Sequence, residues 1–149
     1  MSRALGPWLV LACRLGVGGV FLFAAWDKLL HPAAFAQVIH YYHLVPAALL
    51  HPWAHLLPVL EVVLGVALVT GVMRRGAALL AAGLTVVFMI AIASALARGL
   101  DISCGCFHTD GGHGVGLDLL VRDLALLAAC LPPLLARRGG PSLGDLRRR

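Results

Sequence analysis

The chain has 149 residues, of which 60% are hydrophobic and 13% charged, with a formal net charge of +5 and a mean hydropathy of +0.91. Soluble globular domains are about half apolar and about a quarter charged, so this composition excludes an ordinary soluble domain and indicates an integral membrane protein. No basic stripe is interleaved with aromatic residues, so we expect membrane lipid, and not nucleic acid, to be the partner of the excess positive charge.

Long apolar runs account for most of the chain. They cover about residues 8–30, 46–72, 76–97 and 115–136. Each is close to or above the ~20 residues that a helix needs to cross the hydrocarbon core of a bilayer. We therefore predict an all-α membrane protein, in which a bundle of four transmembrane helices forms a single domain over residues 1–149 and residues 137–149 form a basic tail.

The connections between these runs are short. Pro32 ends the first helix, and residues 35–44 then predict a short interfacial helix anchored by Tyr41 and Tyr42. Arg74-Arg75 is expected to form a tight turn between the second and third spanning helices.

The distribution of basic residues predicts the orientation in the membrane. With both termini in the cytoplasm, one large set of basic residues lies inside: Arg3, Arg74, Arg75, Arg137, Arg138, Arg147, Arg148 and Arg149. Only Lys28 and Arg98 then lie at the outer boundary. We expect a multi-pass protein of the bacterial inner membrane whose connection between the third and fourth spanning helices faces the periplasm or the extracellular side.

Ionisable residues within the spans concentrate in the outer half. Glu61 is expected near the bilayer centre, Asp27 and Lys28 close the outer end of the first helix, and Asp118 and Arg122 have the spacing of a same-face pair in the fourth, where Asp123 follows. Two interpretations remain open. These groups either pair and fix helix packing, or form a polar vestibule that moves protons or lowers a thiol pKa, with Lys28 or Arg122 as the cation.

Cys104 and Cys106 flank a single glycine in the polar connection before the fourth helix. A disulfide between them would close a very small ring, which favours a bond that is readily reduced. We predict that the pair is redox-active. A thiolate of one cysteine would attack a partner disulfide and the other cysteine would resolve the mixed disulfide, with the direction of electron flow left open. Cys13 and Cys130 are expected to be packing residues.

Metal binding is an alternative for the same segment. All seven histidines fall on the outer side in this topology, and thiolate with imidazole suits copper, zinc or mercury. The ligands would then be Cys104, Cys106, His108 and His113. A purely structural role of the two cysteines is the remaining alternative.

The order of features along the chain resembles the DoxX-like superfamily of four-helix membrane proteins. The resemblance covers roughly residues 10–136 and is carried by Arg14, Lys28-Leu29, Pro32, Tyr42-His43-Leu44-Val45-Pro46 and Pro58-Val59-Leu60-Glu61. Arg98-Gly99-Leu100-Asp101-Ile102, leading into Cys104-Gly105-Cys106-Phe107, is similar to the methylamine utilisation MauE branch. His108 departs from the glycine that this branch often has there.

The resemblance implies a periplasmic thioredoxin-like partner and a part in the maturation of disulfide-containing proteins, with the methylamine dehydrogenase small subunit as the family's named case. By position, Cys104 and Cys106 would be the redox pair, and Lys28 and Glu61 the matched intramembrane charges. A quinone in the bundle is a candidate electron acceptor, although no sequence feature requires one. The rival hypotheses are a quinone-linked or anchoring subunit of a larger oxidoreductase, and a soft-metal binding or transport protein.

Overall fold

The structure, a computed structural model, describes residues 7–99 and 117–136. Within these ranges it is helical and contains no strand. The elements are α1 (Pro7–Leu30), α2 (Pro32–Tyr41), a 3-10 turn (Ala47–Leu49), α3 (Leu50–Thr70), α4 (Arg74–Ala97) and α5 (Leu117–Leu135).

Proline, and residues in the left-handed backbone conformation, lie where one helix ends and the next begins. Pro32 is the first residue of α2, a position that needs no backbone N–H, and His31 separates it from α1. The reversal between α3 and α4 lies at Gly71–Met73, where Gly71 has φ 77° and Met73 has φ 48°. The prediction of a turn at Arg74-Arg75 was therefore wrong, because glycine adopts the left-handed conformation readily and the two arginines begin α4.

The four long helices form a ring. α1 packs between α3 and α5, and α4 packs between α5 and α3. α2 lies on α3, next to the end of α1, and its buried face joins Ala54 of α3 and Ala95 of α4 in one apolar cluster. We call the end of the bundle that carries α2 the α2 end. The C-terminal residues of α1 and α4 and the N-terminal residues of α3 and α5 lie toward it.

The packing is that of a protein in lipid. Large apolar side chains such as Val63, Leu80 and Ile90 are exposed, whereas small residues such as Ala78 and Ala81 are buried. Within residues 7–99 and 117–136, three helical segments are long and apolar enough to cross a membrane, namely Trp8–Leu30, Ala47–Thr70 and Arg74–Ala97. These findings confirm an all-α, multi-pass membrane protein.

Glycine brings α1 and α3 into backbone contact. A Cβ atom built on Gly65 would lie 2.9 Å from the carbonyl oxygen of Gly18 and 2.7 Å from Cγ of Leu22, and a Cβ on Gly18 would lie 2.9 Å from the carbonyl oxygen of Gly65. Real Cβ atoms do not approach other atoms so closely. The contact therefore depends on both glycines, as is common where helices associate in lipid.

We expect Gly65→Ala to destabilise the bundle by about 1–3 kcal/mol, because the added methyl group must push α1 and α3 apart. Gly19→Ala is the matched control on α1, since a Cβ there meets nothing within 4 Å. Thermal unfolding in detergent measures both variants. Equal midpoints for the two would contradict this account of the helix contact.

Candidate functional site

A buried ion pair joins α1 to α3. Lys28 Nζ lies 2.5 Å from Glu61 Oε1, and the two side chains are 2% and 1% exposed. Side chains on a helix lean toward its N-terminus, so Lys28, near the C-terminal end of α1, points back into the bundle. Glu61 leans the opposite way because α3 runs antiparallel to α1. The charges therefore meet inside the helix ring, where both side chains are shielded from bulk solvent.

Two aromatic rings lie next to the ammonium group of Lys28. Its Nζ lies 5.1 Å from the ring centroid of Phe35 on α2 and 5.2 Å from that of Phe88 on α4. Both distances are within the range of cation–π attraction. The ammonium thus contacts groups from three other helices, and this explains how a lysine can be retained in an apolar interior.

A second ion pair lies on α5. Arg122 Nε and Nη2 donate to Asp123 Oδ1 at 2.9 and 2.7 Å, and Asp123 is buried. A small cavity of about 30 Å³ connects this pair to the first. We call it the polar cavity; among the described residues, its polar lining consists of Lys28 (α1), Glu61 (α3), Thr85 (α4), and Arg122 and Asp123 (α5).

One oxygen of each carboxylate is unsatisfied. Among the residues that the structure describes, Glu61 Oε2 and Asp123 Oδ2 are buried without a hydrogen-bond partner. Such groups are uncommon, because a buried acceptor without a partner costs about 1–3 kcal/mol.

A larger, apolar pocket lies beside the ion pair. It has a volume of about 440 Å³ and is formed by α2, α3 and α4, including Ile39, Leu57 and Ala91. Lys28 supplies its charged group, and Lys28 and Phe88 line both this apolar pocket and the polar cavity. The Lys28–Glu61 pair therefore separates a space suited to an apolar ligand from a space suited to water.

Arg14 has a different position from the other buried charges. Its Nε donates to the carbonyl oxygen of Leu68 at 2.8 Å and its Nη2 to that of Val69 at 3.1 Å. These carbonyls lie in the last turn of α3, where helix acceptors lack partners and the helix dipole favours a cation. Arg14 fixes the opposite end of the α1–α3 pair.

The remaining predicted site residues fall into two groups. Asp27 is partly exposed, with Oδ1 3.4 Å from Nδ1 of His31, and is not among the residues that line the polar cavity. The side chains of Cys104, Cys106, His108, His113 and Asp118 lie outside the described residues, as does the tail at 137–149. The predicted pairing of Asp118 with Arg122 and the alternative metal site therefore stay predictions. Elsewhere in the described ranges, no group of three or more potential metal ligands occurs.

The described residues that precede and follow the two cysteines in the chain lie at the α2 end. Arg98, directly after α4, donates from Nη2 to the carbonyl oxygen of Tyr42 at 2.6 Å, just after α2. At the opposite end, Arg74 and Arg75 donate to the carbonyl oxygen of Ala136 at 2.8 and 3.2 Å. The chain thus leaves α4 and enters α5 on the side of the bundle that carries α2.

Comparison with known proteins decides the family. The model of the family described as methylamine utilisation protein MauE matches residues 6–136. The chain belongs to the MauE family. The resemblance noted in the sequence is therefore confirmed. No solved structure matches this chain.

Curated MauE proteins are similar in sequence to this chain over most of its length. That of Paracoccus denitrificans is 34% identical over 126 residues, which covers 84% of this chain and 68% of the relative. That of Methylophilus methylotrophus is 35% identical, with coverage of 84% and 67%. The protein of Methylorubrum extorquens is 40% identical over 119 residues, with coverage of 73% and 64%. Each carries the name methylamine utilization protein MauE.

Several residues around the Lys28–Glu61 pair were not predicted from the sequence. Thr85 and Phe88 lie in an apolar run, and the sequence of that run does not indicate that their side chains point toward the cavity. Phe35 belongs to the predicted interfacial helix, but its contact with Lys28 depends on how α2 folds back onto α3. The one available signal was the count of intramembrane charges, each of which needs a buried partner.

Proposed function

We propose that this MauE-family protein is a membrane thiol–disulfide redox protein that works through Cys104 and Cys106. The observation that carries the proposal is the Cys104-Gly105-Cys106 sequence in the connection between α4 and α5. Its partner is a periplasmic thioredoxin-like protein, and the exchange supports the maturation of disulfide-containing proteins. The names of the relatives support a role in methylamine utilisation.

The proposal includes a membrane arrangement. α5 has 19 residues and a length of about 28 Å, close to the thickness of the hydrocarbon core, so it serves as the fourth spanning helix. Its charged residues Arg122 and Asp123 are paired, which lowers the cost of their insertion. Arg74 and Arg75, at the end opposite α2, favour the cytoplasmic side of the bacterial inner membrane for that end and for both termini. α2 then lies as an interfacial helix on the periplasmic side, together with the cysteine segment.

The exchange follows ordinary thiol chemistry. A thiolate of the reduced partner attacks the disulfide between Cys104 and Cys106, and the mixed disulfide is resolved by the second thiol of the partner. The partner leaves with a disulfide, and the protein keeps two electrons and two thiols. Gly105 permits the tight turn that a ring of this size requires.

Single serine variants test this exchange. We expect Cys104→Ser or Cys106→Ser, in a background with Cys13→Ala and Cys130→Ala, to form a mixed disulfide with the oxidised partner. The remaining thiolate attacks the disulfide of that partner, which is the reverse of the exchange, and no second cysteine of this chain can then release the adduct. The adduct is measured by mass spectrometry of membranes quenched with acid, and reduction should release a thioredoxin-fold protein. The variant with both Cys104→Ser and Cys106→Ser is the control. If neither single variant yields an adduct above this control, exchange with such a partner is excluded.

A quinone fits the apolar pocket as the electron acceptor of the reduced pair. The pocket volume of about 440 Å³ is that of a small-molecule site, and its wall is formed almost entirely by apolar side chains. Lys28 supplies N–H donors there, of which one is directed at Glu61, so a carbonyl oxygen of a ring could accept another. When bound, a quinone accepts two electrons and two protons, which balances the oxidation of two thiols to one disulfide. A quinone in this role requires the oxidising direction of the exchange, from the reduced partner to this protein.

A further inference from the structure

The polar cavity has the properties of a binding site that the two ion pairs share. Glu61 Oε2 and Asp123 Oδ2 lack partners in the described part of the chain, and both residues line the cavity. The two residues are 1% and 3% exposed, so bulk water does not satisfy these oxygens. Each of these two acceptors therefore needs a hydrogen-bond donor, and the cavity that both residues line can hold one.

The size and charge of the cavity select the ligand. A volume of about 30 Å³ exceeds the ~10–15 Å³ that one water molecule needs, and a water with polar partners on several sides is stable in a protein interior. Each of the two described carboxylates that line the cavity has a cationic partner, Lys28 for Glu61 and Arg122 for Asp123, and this favours a neutral ligand over a metal cation. Thr85 Oγ1 donates to the carbonyl oxygen of Ala81 at 2.9 Å, which leaves its own lone pairs to accept from a ligand.

We propose that the polar cavity binds water, and that this water hydrogen-bonds to Glu61 Oε2 and Asp123 Oδ2 and so joins the two ion pairs into one network. The network takes one polar group or ion pair from each long helix: Lys28 from α1, Glu61 from α3, Thr85 from α4 and the Arg122–Asp123 pair from α5. Bound water thereby holds the four helices in one register. This site does not depend on the redox chemistry of the cysteines.

X-ray radiolysis of the protein in lipid nanodiscs tests for the water. Irradiation converts bound water into hydroxyl radicals, which oxidise side chains that touch it even when they are buried. Phe21 lines the polar cavity and Phe35 the apolar pocket, and they are 5% and 4% exposed, so they form a matched pair. We expect oxidation at Phe21 and not at Phe35, by mass spectrometry. Equal oxidation of the two, or none at Phe21, would overturn the proposal.

A filling variant assigns the signal to this cavity. Ala24 lines it and is buried, and Ala24→Val adds two methyl groups at its wall. Oxidation of Phe21 should be lost in this variant while its helical circular dichroism is retained. Persistence of the Phe21 signal would show that the radicals arise elsewhere, which contradicts the proposal.

A double-mutant cycle tests the connection between the pairs. If the two carboxylates share water, the shift in unfolding temperature of the double variant Glu61→Gln/Asp123→Asn should differ from the sum of the shifts of the two single variants. Glu61→Gln combined with Arg74→Gln is the control, because Arg74 contacts Ala136 at the opposite end of the bundle, and these shifts should add. Additive shifts for Glu61 and Asp123 as well would overturn the proposed network.

Discussion

Replacing Lys28 with methionine is expected to destabilise the protein by about 3–5 kcal/mol, because it leaves the buried carboxylate of Glu61 without its cation. Methionine matches the shape of the lysine stem, so the packing against Phe35 and Phe88 is largely kept and the charge is what changes. The free energy of unfolding in mixed detergent micelles measures the effect.

The second substitution makes this result specific to the ion pair. Adding Glu61→Leu to Lys28→Met removes both charges, and we expect most of the lost stability to return, because a buried pair and an apolar pair of similar volume differ little. Asp27→Asn is the control next to Lys28. Its contact with His31 is partly exposed to solvent, so a change below about 1 kcal/mol is expected. A double variant as unstable as Lys28→Met would show that the lysine matters for a reason other than its charge.

Filling the apolar pocket should slow the reoxidation of the cysteine pair by a quinone. Ala91 lines the pocket, and Ala91→Trp places an indole ring where the ligand would lie. With reduced protein and a soluble ubiquinone analogue, we expect the rate of quinol formation to fall by about tenfold or more, equivalent to at least ~1.4 kcal/mol of barrier.

The matched control is on the same helix. Ala93 is exposed and does not line the pocket, so Ala93→Trp adds the same side chain on the outer face of α4. Its rate should stay near that of the original protein. If Ala91→Trp is as fast as Ala93→Trp, the quinone does not react from this pocket, and the exchange with the thioredoxin-like partner must be judged separately by the serine variants.

The fold class followed from the sequence because a bilayer imposes a length on apolar helices. Runs such as 8–30 and 76–97 predicted helices close to those observed, at Pro7–Leu30 and Arg74–Ala97. The turn between α3 and α4 was misplaced, since the position of two arginines carried more weight in the prediction than the glycine at residue 71. Local backbone preference decided that turn.

The candidate site could be predicted only in part. Intramembrane charge identified Lys28, Glu61 and Asp123 as residues that need partners, but not which residues they contact. Thr85 lines the polar cavity because of the rotation of α4 about its own axis as it packs against its neighbours. The apolar run that forms α4 contains no pattern that specifies this rotation. The apolar pocket depends on α2 folding back onto α3, a tertiary contact that no local pattern specifies.

The most direct measurement of the central claim is the redox state of Cys104 and Cys106 in living cells. In a variant with Cys13→Ala and Cys130→Ala, a membrane-impermeant maleimide is added outside the inner membrane before reduction, after reduction, and after the reductant is washed away during respiration. We expect no labelling, then labelling of both cysteines, then a return to the unreactive state. Thiols that react equally at all three stages, or that react only once the inner membrane is permeabilised, would contradict the account.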